Sequence, residues 1–150
     1  MDALPLQQVC VMLYTSLMVG YARGTLRRAD AEYLLASGAQ RARERWGPRA
    51  SVALGAVGRG ALGDEAVYGD IEELRADVAL ARAAGIDDLA LFDLGGVLQR
   101  PRPEAWLDAF ADPSSPATPP RASRRGRMIW WMSAALSRAA ALRAPKITRT

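Results

Sequence analysis

The chain has 150 residues, half of them hydrophobic and 24% charged, which fits one globular domain and excludes a collagen or a wholly low-complexity chain. A single cysteine, Cys10, excludes an intrachain disulfide scaffold, and the absence of histidine excludes histidine zinc sites, Ser-His-Asp triads and Cys-His dyads. The net charge of +4 is divided unevenly: residues 1–111 carry 12 Arg against 15 acidic groups, whereas residues 112–150 carry seven Arg and Lys146 against one Asp. A mildly acidic body is therefore followed by a basic tail, and nucleic-acid binding does not follow from the overall basicity alone.

Residues 4–21 read LPLQQVCVMLYTSLMVGY. The unbroken apolar run Val9-Cys10-Val11-Met12-Leu13-Tyr14 predicts a strand buried on both faces. A transmembrane helix over residues 4–22 is the rival reading, weakened by Gln7, Gln8, Thr15, Ser16 and the following Arg23. The first six residues include Asp2 and no basic group, so they lack the charged start of a secretory signal. The expected location is cytoplasmic, peripheral to a membrane if the tail attaches there.

A helix is expected within residues 25–46, capped by Thr25 or Asp30 and stopped by Gly47-Pro48. Residues 51–57 (SVALGAV) form the next apolar strand, followed by a glycine-rich loop over residues 58–65. Asp70 and Glu73 make a helix cap, Ile71, Leu74, Val78 and Ala81 recur at helical spacing, and Gly85 sits where a helix ends. Leu89-Ala90-Leu91-Phe92 is a third strand closed by Asp93, after which Gly95-Gly96 turns the chain. Pro103 opens a helix presenting Trp106, Leu107 and Phe110.

The order β-α-β-α-β-α predicts an α/β body over residues 1–111, either a small parallel sheet or a partial barrel built of right-handed crossovers. Its outer strands would have open edges, which points to a second chain or a homo-oligomer completing the sheet. Residues 112–127 are rich in Pro, Arg and Ser and read as an unfolded linker; residues 128–150 read as a basic amphipathic helical tail.

Gly58-x-Gly60-x-x-Gly63 after a strand has the spacing of a dinucleotide fingerprint and would place an NAD-like pyrophosphate on a helix N-terminus. Against it, Asp64, Glu65 and Asp70 would repel phosphate, and Asp93 follows Gly63 by 30 residues where the fingerprint wants about 20. A plain strand-to-helix loop explains the glycines as well. No G-x-x-x-x-G-K-S/T run occurs, and no other cofactor signature is present.

Each predicted strand ends in a polar or glycine cluster: Tyr14-Thr15-Ser16, then residues 58–65, then Asp93-Leu94-Gly95-Gly96. With the phrase GIDDLALFDLGGVL, this resembles the closing units of a (β/α)8, or TIM, barrel. The resemblance is architectural, covers residues 6–110, and carries no catalytic signature. It implies a site on the loops at the carboxyl ends of the strands, with Tyr14, Ser16, Tyr21, Arg23, Asp64 and Tyr68 binding a sugar-like or phosphorylated small molecule. It further implies phosphate held by Gly58, Gly60, Gly63, Gly95 and Gly96. Three of eight units would make the chain a truncated or split barrel that another chain closes.

Asp93 and Glu65 are the acid-base candidates, since a carboxylate pair performs glycoside hydrolysis without histidine. A competing role for Asp93 is to cap the Gly95-Gly96 turn. Asp87 and Asp88 belong to a turn, and no metal site is expected. In the tail, Trp130 and Trp131 beside Arg124, Arg125 and Arg127 point to packing on the body or a partner protein, or to an anionic membrane surface, with nucleic acid ranked last. The alternative to an enzyme is thus a non-catalytic α/β module tethered by its tail.

Overall fold

A computed structural model describes residues 7–59, 65–112 and 123–143. Three parallel strands, β1 (Val9–Met12), β2 (Ala50–Gly55) and β3 (Asp88–Phe92), form one sheet in the order β1-β2-β3. Cys10, Ser51 and Asp88 lie in one row, as do Met12, Ala53 and Ala90. The crossovers run through α1 (Thr15–Tyr21) and α2 (Arg28–Trp46), then through α3 (Ile71–Ala83). After β3 come α4 (Leu94–Leu98), α5 (Pro103–Ala111) and α6 (Arg124–Arg143).

The local signals for these helices are side chains that satisfy free backbone groups. Asp70 accepts from the backbone N–H of Glu73 at 3.0 Å and starts α3; Gly85, at φ +80, carries the chain out of it. Pro103 stands in the first turn of α5, where its missing N–H leaves no hydrogen bond unmade. The start of α2 differs from expectation. Neither Thr25 nor Asp30 is the capping residue; Arg27 is, and Asp30 sits three residues in, accepting from the Arg27 N–H at 3.2 Å.

Helices α2 and α3 pack on each other and on the same face of the sheet. Val52, Leu54, Leu35, Leu74, Val78 and Ile86 are wholly buried there, with Val11, Leu89 and Leu91 packed against them. Each such aliphatic side chain contributes about 1.5–3 kcal/mol on burial. Trp106 of α5 joins this core, and Arg75 of α3 bonds Asp112 just beyond α5 at 2.8 Å.

Among the described residues, no helix packs on the opposite face. Cys10 and Ala90 are exposed there and Met12 is 70% exposed, so β1 alternates between covered and open residues. The expectation of a first strand buried on both faces gives way to the other consequence of a three-unit sheet, that one face of this strand lacks cover among the described residues. The membrane-span reading of residues 4–22 also gives way to a strand followed by a seven-residue helix. Among the described residues, no helix is long and apolar enough to cross a membrane.

Candidate functional site

The carboxyl ends of the strands gather Tyr14, Ser16, Glu65 and Asp93. Tyr14, two residues past β1, and Phe92, the last residue of β3, stack with ring centroids 5.5 Å apart and planes inclined by 20°. Neighbouring strands stand about 4.8 Å apart, so groups on β1 and β3 would be roughly twice that distance apart on a flat sheet. They meet because the face is concave and Gly55 lies between them. A Cβ on Gly55 would come within 2.7 Å of the Phe92 carbonyl oxygen and 3.4 Å of the Tyr14 ring. At the other end of the same face, the Gln8 amide donates to the Asp88 carboxylate.

Glu65 stands near enough to Tyr14 for its charge to act on the phenol. Burial first, and then the Cys10 and Glu65 charges, push the Tyr14 pKa up, so its hydroxyl remains a donor at neutral pH. Ser16 is buried and fixes the loop beside the ring pair: its hydroxyl donates to the Gly55 carbonyl at 2.9 Å and accepts from the Ala56 N–H at 2.6 Å. Asp93 stands directly after Phe92, and its carboxylate accepts from the Gly96 N–H, capping α4. That is the turn-capping geometry.

Gly58 and Gly96 meet backbone to backbone. A Cβ on Gly58 would lie 2.2 Å from the Gly96 Cα, and one on Gly96 would lie 1.9 Å from the Val57 carbonyl oxygen. Both glycines thus serve close packing between the β2 loop and α4, while Gly95 is exposed in the first turn of α4. Tyr21 is exposed at the end of α1, and Arg23 is exposed in the turn after it, at φ +46. Gly60, Gly63 and Asp64 lie outside the described residues.

Tyr68 is turned away from this cluster. It is completely buried, and its hydroxyl donates to Asp77 at 2.8 Å. Asp77 lies on α3, is 0% exposed, and also accepts from the Thr15 hydroxyl and from the Arg28 guanidinium at 2.6 Å. Arg28 in turn donates to Thr15 at 2.9 Å, to Glu32 at 2.9 Å and to the Glu73 carbonyl at 2.7 Å. Burial pushes the Asp77 pKa up to about 6 against the pull of Arg28 and the two hydroxyls. Burial and the Asp77 charge likewise push the Tyr68 phenol upward.

Sequence reasoning missed this network, which ties α1, α2, α3 and the loop before α3 together. One signal was present: Asp77 falls in the stripe Leu74-Asp77-Val78-Ala81, at core spacing. A charge in an apolar stripe needs a buried partner.

The chain matches no family model, no curated protein and no solved structure. Among the described residues, no group of three or more Cys, Asp or Glu is placed to hold a metal ion. What the arrangement offers is a half-buried aromatic platform, a phenol donor and a nearby carboxylate, on a rigid base.

The basic tail packs on the body. Its helix begins at Arg124, four residues earlier than expected, because the Ser123 hydroxyl accepts from the Gly126 N–H at 2.9 Å and donates to Asp30. Trp130 lies beneath the Arg41 guanidinium of α2, 5.9 Å from ring centre to charge centre. Trp131 points outward and is 69% exposed.

Proposed function

We propose that this chain is part of a barrel-type enzyme acting on a sugar-like or phosphorylated small molecule, with further strands completing the sheet. The observation that carries the reading is the Tyr14–Phe92 stack over Gly55. The interior of a closed (β/α)8 barrel is filled by layers of side chains drawn from alternate strands. Phe92 from the third strand and Tyr14 from just beyond the end of the first meet in a comparable way. The order β1-β2-β3, with α2 and α3 on one face and no described helix on the other, supports the same architecture.

In this reading the ring pair receives the apolar face of a cyclic ligand, the Tyr14 hydroxyl donates to a ligand oxygen, and Glu65 is the acid-base group. Asp93 has a positioning role, since its carboxylate holds the turn that follows β3. The remaining walls of the site, and any further reactive group, belong to the strands that close the barrel.

Saturation-transfer NMR on the full chain with a panel of monosaccharides and sugar phosphates tests the platform. Ring protons of a bound sugar should receive saturation from the parent chain and lose it in Tyr14→Ala. Absence of transfer across the panel, or equal transfer in Tyr14→Ala, overturns the reading.

A further inference from the structure

Helix α6 has two faces. Gly126 is buried against Asp30 and Tyr33 of α2, and Trp130 lies under Arg41 on the same helix. The opposite side carries Met128, Trp131 and Met132 at the spacing i, i+3, i+4, exposed by 57%, 69% and 57%. An apolar stripe that open is unusual on a helix whose other side is already docked.

The charges around the stripe are of one sign. Arg124, Arg125 and Arg127 are exposed in the first turn of α6, and no acidic residue follows Asp112 anywhere in the sequence. Arg27, at the start of α2, joins Arg124 and Arg125 around a hollow of about 240 Å³ beside Ser123 and Asp30. The Asp30 carboxylate in that hollow is engaged by the Ser123 hydroxyl and the Arg27 N–H, and Ser123 above all holds its pKa below the ordinary value. The hollow is therefore lined by three arginines beside a carboxylate that is already bonded.

We propose that α6 lies on an anionic lipid surface, with Met128, Trp131 and Met132 entering the boundary between headgroups and acyl chains and Arg27, Arg124 and Arg125 gathered on headgroup phosphates. Exposed Trp and Met rings and thioethers seek that boundary, and clustered arginines draw the helix to negative headgroups. A second α6 packed against this stripe would instead bring like charges together. The packing of Trp130 and Gly126 on α2 gives the surface a fixed orientation, so attachment holds the acidic body above the membrane without inserting it. The inference stands apart from the barrel reading, because none of these residues lies at the strand ends.

Flotation of the full chain with vesicles of phosphatidylcholine alone, and of phosphatidylcholine mixed with phosphatidylserine, tests it. The chain should float with the mixed vesicles only, and should be released when salt is raised from about 0.1 M to about 1 M, as the screening length falls from roughly 10 Å to 3 Å. The double change Arg124→Gln, Arg125→Gln should lower partitioning roughly 25-fold, about fivefold for each charge removed. Trp131→Ser should also release the chain. Vesicles with brominated acyl chains should quench parent fluorescence, and Trp131→Phe should remove that quenching while binding persists. Unchanged urea midpoints in these variants will show that the body remains folded. Recovery in the lipid-free fraction with both vesicle types overturns the proposal. So does equal binding to both, indifference to Trp131→Ser, or single-stranded DNA displacing the chain from the vesicles.

Discussion

Gly58 and Gly96 cross at a distance that leaves room for neither side chain: the Gly96 Cα would stand 2.2 Å from a Cβ on Gly58, and the Val57 carbonyl oxygen 1.9 Å from one on Gly96. The obstructing atoms are backbone, so no rotamer change relieves the clash. Gly58 adds a φ of +80, which L side chains adopt at a penalty of about 1–2 kcal/mol. Gly58→Ala and Gly96→Ala should each lower stability by more than about 2 kcal/mol in urea melts. Gly24→Ala meets open space and bears only the conformational penalty of its φ of +82. A Gly96→Ala chain as stable as the parent would refute this close crossing.

Asp77 gives the stability a pH signature. Its carboxyl titrates at about 6 in the fold against 3.8 in an ordinary carboxylate, so between those values the folded chain holds a proton that the unfolded chain has released. Rising pH therefore favours unfolding across this window. Urea midpoints should fall as pH climbs from about 4 to about 6, and Asp77→Asn should flatten that slope. Asp30 acts with the opposite sign, because Ser123 holds its pKa low; its contribution is lost only as pH falls below about 3.8. At neutral pH, Asp77→Asn removes the buried carboxylate from Arg28, which keeps Glu32, and should destabilise by about 1–3 kcal/mol. An unchanged slope in Asp77→Asn would assign the effect to other groups.

The bare sheet face offers a direct check on whether further strands cover it. If a second copy does so, the full chain should scatter light as an oligomer, and Cys10 should be shielded from a thiol reagent. Met12→Arg would place a charge at the centre of that interface and should release monomers whose Cys10 reacts freely. A parent chain that is monomeric, cooperative in its unfolding and reactive at Cys10 would exclude coverage by a second copy.

Gly55→Ala tests the platform from beneath. Its methyl would press on the Phe92 carbonyl oxygen and Cβ, displacing Phe92 from the stack at a cost of about 1–3 kcal/mol. Loss of sugar saturation transfer should accompany it. Phe92→Leu, which keeps apolar volume without the ring, should retain most stability and lose the ligand signal. Retained transfer in both variants would place binding elsewhere.

The order of the body elements was legible because each rests on local chemistry: Asp70 starts a helix, Gly85 and Gly47 end one, and Pro103 opens one. Elements under two turns were not legible. Helix α4 consists of Leu94–Leu98, whose two glycines favour a turn in sequence, and it forms because Asp93 caps it while Gly96 fits against Val57. At the candidate site, Tyr14 and Asp93 could be placed at strand ends from periodicity alone. That Tyr14 faces Phe92 could not, since it depends on sheet curvature over a glycine 41 residues away in sequence. Thr15, Arg28 and Asp77 are likewise far apart in the chain, and only the packing of α2 on α3 brings them together. Tyr68, expected among the ligand-binding residues at the strand ends, is instead wholly buried with its hydroxyl on Asp77.

The neighbour order of the sheet also bears on how the chain comes to be folded. Every strand docks on the one synthesised immediately before it, so an emerging polypeptide never has to keep a gap open for a later arrival. Growth by accretion from the amino terminus follows, with each loop closed before the next begins and the entropic toll of closure spread over successive small steps. The exception is α6, which returns to the second helix made. Its docking through Ser123 and Trp130 joins residues as far as 93 positions apart, so this contact closes a far longer loop than the strand-to-strand steps.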